Sequence, residues 1–518
     1  MNYTSSVQPI SRREMLRTSA CGFGSLALAG LCQQAAASTG PATLLQRQPM
    51  FAPRAKRVIF IFMAGGPSHV DSYDYKPELM RNHDKDYDFT GVRFGTFGKK
   101  SKRKLMKPLW DFQQYGQCGQ HVSELFPYTA QMVDDLCFIK SMHTEGVAHG
   151  PSTLFMQTGA TNLIRPSVGS WVTYGLGTEN HNLPGFVTLQ PSSSKGGPRN
   201  YSNAFLPAIY QGTAIGKAGQ PASEATLRNA VNPSLSHAEQ VRNFKLLQQI
   251  NRAQLAGKPQ DDQLEAVVES FELAWRMQMN APGVFDLSGE SVATRKLYGI
   301  GEKPTDDFGK QCMMARRMAE SGVRYIQVNY ADESTNPRWD QHSNMPKHMD
   351  HARATDKPVA GLLADLKNRG LLEETLVWWG GEFGRTPFSQ SGDGRDHNPR
   401  GFTTWFAGGG VKPGISYGAT DELGDTAVEN KVHMHDLHAT LLHILGLDHE
   451  KLTYRYAGRD FRLTDVHGSV VHGILSKKRA REEGSVFICE AVLWPFPASR
   501  RCLCYWGKGG RMGCPLLY

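Results

Sequence analysis

Metal-binding residue types recur along this chain at the ends of predicted strands. Carboxylate oxygens and imidazole nitrogens bind divalent cations, and here they follow four successive predicted strands. The candidate ligands are Asp71, Asp340, His342, Glu382, Asp396 and His397. Open α/β sheets place their ligands beyond the carboxyl ends of their strands. The recurrence therefore predicts a divalent metal site, with zinc, calcium and magnesium all open.

Their spacing makes Asp340 and His342 a candidate ligand pair, whereas Asp71 is explained equally well as a structural residue. Asp340 and His342 are two residues apart, so both side chains point to the same side of an extended segment. Asp71 lies in the glycine-rich turn at residues 64–74, where aspartate also serves as a cap of helices and turns. His69 in the same turn favours the metal interpretation.

Two further residues are candidates for chemistry rather than for structure. His149 precedes a short predicted helix with Pro151 in its first turn and Gly159 as its stop. An anion held there would meet free backbone N–H groups. Arg385 follows Glu382 among glycines, at the end of a strand predicted for residues 375–379. We expect chemistry at the strand end that carries Glu382 and Arg385.

The elements that must position these residues read as an α/β fold. Residues 57–63 and 375–379 are continuous apolar runs of strand length, typical of parallel strands buried on both faces. Residues 362–369 have helical apolar spacing and end at Gly370, so helix, stop and strand form half of a βαβ unit.

Composition excludes several classes of protein. The 518 residues carry a formal charge of +9, but residues 1–37 contribute +2 and residues 476–518 contribute +5. The remainder is close to neutral, which argues against a nucleic-acid partner. Nine cysteines are scattered, six of them in the two ends, so we expect no dependence on disulfides.

The two ends of the chain differ from its body. Arg12 and Arg13 precede a short apolar stretch and small residues, which predicts a twin-arginine signal peptide over residues 1–37 and a linker over 38–56. The expected partner is the twin-arginine export machinery. The expected location is periplasmic or extracellular, with no stable membrane span after cleavage. Residues 476–518 read as an atypical, disordered tail, and residues 220–300 as a helical insertion.

The body, residues 57–475, resembles the alkaline phosphatase and sulfatase superfamily, and within it the bacterial DUF1501 family. The wider resemblance is carried by residues 362–384, 436–446 and 149–159; the narrower one by residues 65–71, 382–386 and 454–464. It implies an alkaline-phosphatase-like three-layer α/β/α sandwich with a mostly parallel central sheet. It also implies metal-dependent hydrolysis of phosphate or sulfate esters.

The resemblance breaks at the positions that carry the chemistry. His149 stands where the superfamily has its nucleophile, and Glu382 stands where it has a metal-binding aspartate. Phe383 replaces a neighbouring ligand. His397 resembles the last metal histidine, and Asp340 with His342 resembles an Asp and His pair at altered spacing.

Three interpretations remain open. In the first, the six candidate ligands hold ions that activate water, Arg385 contacts the developing negative charge, and His149 is a ligand, a general base or a nucleophile. In the second, an inactive site binds a sulfated or phosphorylated glycan. In the third, the residues form polar networks of a secreted structural protein.

Overall fold

The structure is a computed structural model. It describes residues 44, 46–89, 102–180, 182–225, 235–256, 268, 271–272, 275, 282–477, 505–506 and 512–513. The predicted signal peptide lies outside the described residues, as do most of the tail and part of the predicted helical insertion at 220–300. The described part of the tail consists of two dipeptide strands that pair antiparallel. Among the described residues, no helix is long and apolar enough to cross a membrane.

Strands and helices alternate through the body. The described strands are β1 (Arg57–Met63), β2 (Asp86–Asp88), β3 (Lys102–Lys104), β4 (Phe112–Tyr115), β5 (Gln120–Ser123), β6 (Leu136–His143), β7 (Phe186–Leu189), β8 (Thr213–Ile215), β9 (Tyr325–Tyr330), β10 (Thr375–Gly380), β11 (Gly384–Ser389), β12 (Arg395–Asn398), β13 (Phe402–Gly408), β14 (Ile415–Tyr417), β15 (Ala419–Thr420), β16 (Ala427–Glu429), β17 (Val432–His433), β18 (Tyr454–Tyr456), β19 (Arg459–Phe461), β20 (Tyr505–Trp506) and β21 (Met512–Gly513). The described helices are α1 (Pro77–Arg81), α2 (His149–Thr158), α3 (Val168–Leu176), α4 (His237–Ala256), α5 (Pro282–Phe285), α6 (Val292–Leu297), α7 (Asp306–Glu320), α8 (Lys347–Asn368) and α9 (Met434–Ile444).

A nine-stranded sheet forms the centre, in the order β14-β6-β13-β10-β1-β9-β7-β8, with β17 also paired to β6. The pairs from β10 through β8 are parallel. Strand β13 runs antiparallel to both β10 and β6. The predicted α/β class with a mostly parallel central sheet is confirmed, and the apolar run at 57–63 is β1 itself.

Helices cover both faces of the sheet because successive side chains of its strands point in opposite directions. On one face, Phe60 of β1 stacks on Trp378 of β10 with 3.7 Å between ring centroids, and α3 and α9 pack over them. On the other face, Ile59 and Ile61 lie against α7 and α8. The fold therefore has the predicted three layers, and β1, β9 and β10 are buried on both sides.

The three neighbouring parallel strands β9, β1 and β10 end at the same edge of the sheet. Gly65 follows β1, Asp340 lies in the segment after β9, and Glu382 follows β10. The hairpin of β11 and β12 lies directly after this edge in sequence and pairs Arg385 with His397 across its strands. Helix α2 begins at His149, a few residues beyond the end of β6. The topology thus brings distant parts of the chain to one place.

Candidate metal centre

Asp340 is surrounded by three imidazole rings. His342 Nε2 lies 2.8 Å and His397 Nε2 lies 3.1 Å from Asp340 Oδ1. His149 Nε2 lies 3.1 Å from Asp340 Oδ2. Ligand atoms of these four residues all fall within 4.8 Å of one another. The group, hereafter the Asp340 cluster, has the size of a metal coordination shell.

Different elements deliver the members of the Asp340 cluster. His149 is the first residue of α2, after Ala148 in an extended conformation. His397 lies on β12 opposite Arg385 of β11. Asp340 is brought close by Gly65, where a Cβ atom would lie 2.7 Å from the Asp340 backbone nitrogen. Because Gly65 also has φ of +109°, a side chain there would both strain the turn and displace Asp340.

The other ring nitrogen of each histidine faces an oxygen. His149 Nδ1 lies 2.6 Å from Glu382 Oε1, and His397 Nδ1 lies 2.9 Å from the carbonyl oxygen of Val147. His342 Nδ1 is bonded to Gln390 Oε1. These oxygens accept hydrogen bonds, so each Nδ1 carries the proton of a neutral ring. The three Nε2 lone pairs then converge on a carboxylate, an arrangement that a bound cation stabilises.

The cluster also contains a buried nitrogen without a hydrogen bond. His149 Nε2 is near Asp340, but the geometry is not that of a hydrogen bond and it has no other partner. A buried polar atom left in this state is costly unless it has a ligand. Three imidazole nitrogens and one carboxylate oxygen fit a divalent ion with tetrahedral preference. The residues therefore fit a metal.

Charge in the cluster is concentrated on Asp340. Burial would raise the pKa of Asp340, but Arg385 and the three histidines hold it well below its usual range. Burial lowers the pKa of His149, yet the nearby carboxylates of Asp340 and Glu382 together outweigh burial and raise that pKa. Burial lowers the pKa of His397 to about 4, with Asp340 opposing and Arg385 reinforcing this shift. The His397 ring is thus neutral at physiological pH, and its Nε2 lone pair is free to bind a metal ion.

Arg385 is fully buried and bonded within the protein. Its Nε donates to the Gly66 carbonyl at 3.0 Å, and Nη1 donates to the Arg395 carbonyl at 3.3 Å. Its Nη2 donates to Asp340 Oδ1 at 2.7 Å and to the carbonyls of Gly65 and Trp339. The prediction that Arg385 contacts the negative charge of a substrate is therefore not favoured by this geometry. Arg385 instead holds Asp340 in place and balances its charge.

Three predicted ligands lie outside the Asp340 cluster. The Glu382 carboxylate accepts from the Gly65 amide at 3.0 Å and holds His149, so it is one step away from the shared centre. Asp396 accepts from the His397 amide at 2.8 Å, and its Oδ1 lies 4.0 Å from His342 Nδ1.

Asp71 is a partner of a second buried arginine. Its two oxygens face Arg395, at 2.6 Å from Nε and 3.3 Å from Nη2. The Leu109 amide also donates to it at 3.2 Å. The structure therefore brings four of the seven metal-site and histidine candidates together and places Asp71 in a separate ion pair.

A family model described as a protein of unknown function (DUF1501) matches residues 55–475. The chain belongs to the DUF1501 family. No curated protein matches the chain.

Solved structures of several enzymes share the α/β architecture of this DUF1501 chain. The lipoteichoic acid synthase LtaP from Listeria monocytogenes is 8% identical, with a TM-score of 0.34 and coverage of 80% of this chain and 76% of the other. The PsFucS1 sulfatase from Pseudoalteromonas sp. is 11% identical, with a TM-score of 0.30 and coverage of 82% of this chain and 71% of the sulfatase. Alkaline phosphatase from the Antarctic bacterium TAB5 is 10% identical, with a TM-score of 0.31 and coverage of 77% of this chain and 100% of the phosphatase. Similarity at this level says nothing about the site, so the function proposed below is argued from side chains.

Phe383, already noted as the replacement of a ligand, and two residues that sequence reasoning missed also contact the DUF1501 site. Phe383 stacks on His397 with ring centroids 4.3 Å apart and lies 5.0 Å from His149. It covers one side of the cluster, at a position where the resemblance implied a ligand. Gln390 and the Val147 carbonyl orient ring nitrogens. No motif signals these two, because their role depends on where the hairpin and the loop before α2 lie.

Proposed function

We propose that this protein is a metal-dependent hydrolase of phosphate or sulfate esters, with the ion held by His149, Asp340, His342 and His397. The observation that carries the proposal is the convergence of three imidazole Nε2 atoms on one buried carboxylate, with each Nδ1 tied to an acceptor. His149 is then a ligand rather than a nucleophile, since Glu382 occupies its other nitrogen.

Zinc or a similar transition metal suits this donor set better than calcium or magnesium. Imidazole nitrogen is a favoured ligand of zinc, whereas calcium and magnesium prefer oxygen. A bound ion would polarise the ester. It would also lower the pKa of the water that it binds toward neutrality, which makes that water a better nucleophile. The positive charge of Arg385 stabilises the ionised form of the Asp340 carboxylate. Glu382 and Val147 fix the ring orientations that the site needs.

One member of the Asp340 cluster is more accessible than the others. The His342 side chain is 21% exposed, whereas those of the other three members are at most 8% exposed. Lys195 lines a cleft that also reaches Glu382, and its ammonium group has no ion pair among the described residues.

Elemental analysis of the purified protein tests the metal assignment. We expect about one equivalent of a transition metal in the wild type and loss of it in His397→Ala. The matched control is His438→Gln, which changes another buried histidine, bonded to the Met156 carbonyl and outside the cluster. Metal-free wild-type protein, or equal metal in His397→Ala, contradicts the proposal.

Turnover separates hydrolysis from simple binding. We expect the metal-loaded protein to release 4-nitrophenol from 4-nitrophenyl phosphate or 4-nitrophenyl sulfate, and the chelated protein to be inactive. The second candidate, a binding protein without catalysis, is favoured by Phe383, which covers part of the cluster. Full metal content with no turnover of either ester would support that candidate.

Export is a separate proposal that rests on the leader. Arg12 and Arg13 before an apolar stretch support transport by the twin-arginine machinery. We expect replacement of both arginines by lysine to retain the protein in the cytoplasm of a bacterial host, as judged by cell fractionation. Unchanged export would contradict this proposal.

A further inference from the structure

A cavity lies at the carboxyl ends of two neighbouring parallel strands, where open α/β sheets place their ligands. Gln190 directly follows β7, and Tyr330 is the last residue of β9; both line the cavity. Its volume is about 380 Å³, within the range of small-molecule pockets. The described residues that line it include neither Glu382 nor any member of the Asp340 cluster. Its ligand is therefore not tied to the proposed hydrolysis.

Asp307 brings a negative charge to one wall of this cavity. It is half-buried in the first turn of α7. One of its oxygens accepts from the Ala222 amide, and the other accepts from Gln311 Nε2 at 3.1 Å. Both donors are neutral, and the nearby Lys310 is paired instead with Asp306 at 2.6 Å. Within the described part of the chain, Asp307 thus has no cationic partner.

Arg338 brings a positive charge to another wall. It is half-buried, its Nε donates to the Ala331 carbonyl at 3.1 Å, and its guanidinium lies 4.6 Å from the centre of the Tyr330 ring. These neutral contacts hold the guanidinium in place but do not balance its charge. The carboxylates close to it in sequence accept from other groups, namely Asp332 from Ser334, Glu333 from Ser193 and Asp340 from Arg385. No described carboxylate forms an ion pair with Arg338.

Two opposite charges without ion-pair partners therefore line one cavity. Partial burial of an unpaired charge is unfavourable, so each wall favours a ligand group of the opposite sign. A simple cation or a simple anion would be attracted by one wall and repelled by the other. A molecule that carries both an ammonium group and a carboxylate satisfies both walls. Pro221, Pro304, Phe308 and Ala354 add apolar surface to the same cavity.

We infer that this cavity binds an amino acid with an apolar side chain. Its carboxylate pairs with Arg338, its ammonium group pairs with Asp307, and its side chain packs on the apolar wall. Arginine suits the first role because its planar fork of N–H groups matches a carboxylate. The inference goes beyond the proposed function and does not depend on a metal in the Asp340 cluster.

Ligands that differ by one charge test the inference in the wild-type protein. The probe is L-leucine, compared with 4-methylpentanoate, which lacks the ammonium group, and with 3-methylbutylamine, which lacks the carboxylate. Titration calorimetry measures the three affinities. We expect L-leucine to bind at least about tenfold more tightly than either control, because each control loses one hydrogen-bonded charge. This comparison requires neither turnover nor a folded variant.

Variants test which residue meets which end of the ligand. Asp307→Asn should abolish the advantage of L-leucine over 4-methylpentanoate, and Arg338→Gln should abolish its advantage over 3-methylbutylamine. Asp306→Asn is the matched control, since Asp306 lines the same cavity but is already neutralised by Lys310. We expect it to keep both advantages.

Three results would overturn the inference. The first is equal binding of L-leucine and its two controls by the wild type. The second is no binding of L-leucine, L-methionine or L-phenylalanine at millimolar concentration. The third is an equal loss in Asp306→Asn and Asp307→Asn, which would indicate a general effect of negative charge rather than a contact with Asp307. Failure of the proposed function shows separately, as absent metal or absent turnover of the 4-nitrophenyl esters.

Discussion

Two histidine clusters in the described part of the chain differ in what lies at the centre. In the Asp340 cluster three rings face one carboxylate. A second cluster lies around the start of α9, where His435 is 5.3 Å from both His433 and His467 and 6.1 Å from His438, measured between ring centroids. The nearby carboxylate, Asp436, is bonded to the amides of His433 and Ser469. Its oxygens cap the helix.

The difference shows why a count of histidines does not identify a metal site. In the second cluster, burial first and then repulsion from neighbouring rings lower the pKa of His435 to about 3, so that ring stays neutral. In the Asp340 cluster, carboxylates raise the pKa of His149. The Asp340 cluster has a carboxylate at its centre that attracts a cation, whereas His435 of the second cluster is surrounded by other rings. Only the first suits a cation.

The largest effect that we predict comes from removing the central carboxylate. Asp340→Asn should lower metal affinity at least about 100-fold, because it removes a ligand and the charge on which the rings converge. It should also destabilise the fold by about 3–5 kcal/mol, since Arg385 loses its buried partner. Metal content and urea denaturation measure the two effects.

Asp71→Asn is the matched control for Asp340→Asn. It leaves the other buried guanidinium, Arg395, without its carboxylate, so we expect a similar loss of stability. Metal content should be unchanged. If Asp71→Asn loses metal as completely as Asp340→Asn does, the loss is a general consequence of destabilisation and the contrast between the clusters fails.

The second cluster should make the protein sensitive to acid. Burial lowers the pKa of His438 to about 4, although the hydrogen bond between its Nε2 and the Met156 carbonyl opposes this shift. Because its folded pKa lies below the unfolded value of about 6.5, its contribution to stability is present above pH 6.5 and is lost as pH falls toward 4. The loss amounts to about 3 kcal/mol at most.

His438→Gln keeps a donor for the Met156 carbonyl but cannot titrate. In metal-free protein, we expect the wild type to lose more free energy of unfolding than the variant between pH 7 and pH 4, as measured by urea denaturation. Equal losses in the two proteins would mean that His438 is not the group responsible. The metal is removed so that its release at low pH does not contribute.

The smallest effect should come from the residue that orients a ligand without belonging to the cluster. Glu382→Gln retains an oxygen for the Gly65 amide or for His149 Nδ1, but not the charge. We expect metal affinity to fall about tenfold, the lower end for outer partners of metal ligands, with metal stoichiometry unchanged. Competition with a chromophoric chelator measures the affinity. A loss as large as that of Asp340→Asn would make Glu382 a direct ligand.

The sequence predicted the fold well because its signals are local. Continuous apolar runs at β1 and β10 identify strands buried on both faces, and Gly370, with φ of +68°, follows the end of α8 as expected. The direction of β13 had no such signal. An apolar run has the same composition in a parallel and an antiparallel strand.

The site was predicted less completely because residue type does not fix the partner. Asp71 and Asp340 both follow strands of the same sheet, and each pairs with an arginine of the same hairpin. Which of them meets histidines depends on long-range packing. For Asp396 and His397 a local argument was available: neighbours on a strand point to opposite sides, so only one of them could face the cluster.

The β11–β12 hairpin couples its own local unfolding to the proposed metal site. It carries His397, a proposed ligand, directly opposite Arg385, which balances Asp340, and its Arg395 holds Asp71. If the hairpin separated from the sheet edge, a ligand and the central counter-charge would leave together. A bound ion would therefore hold this hairpin against the sheet edge. Its backbone amides would exchange with solvent more slowly when metal is present, even far from the ion.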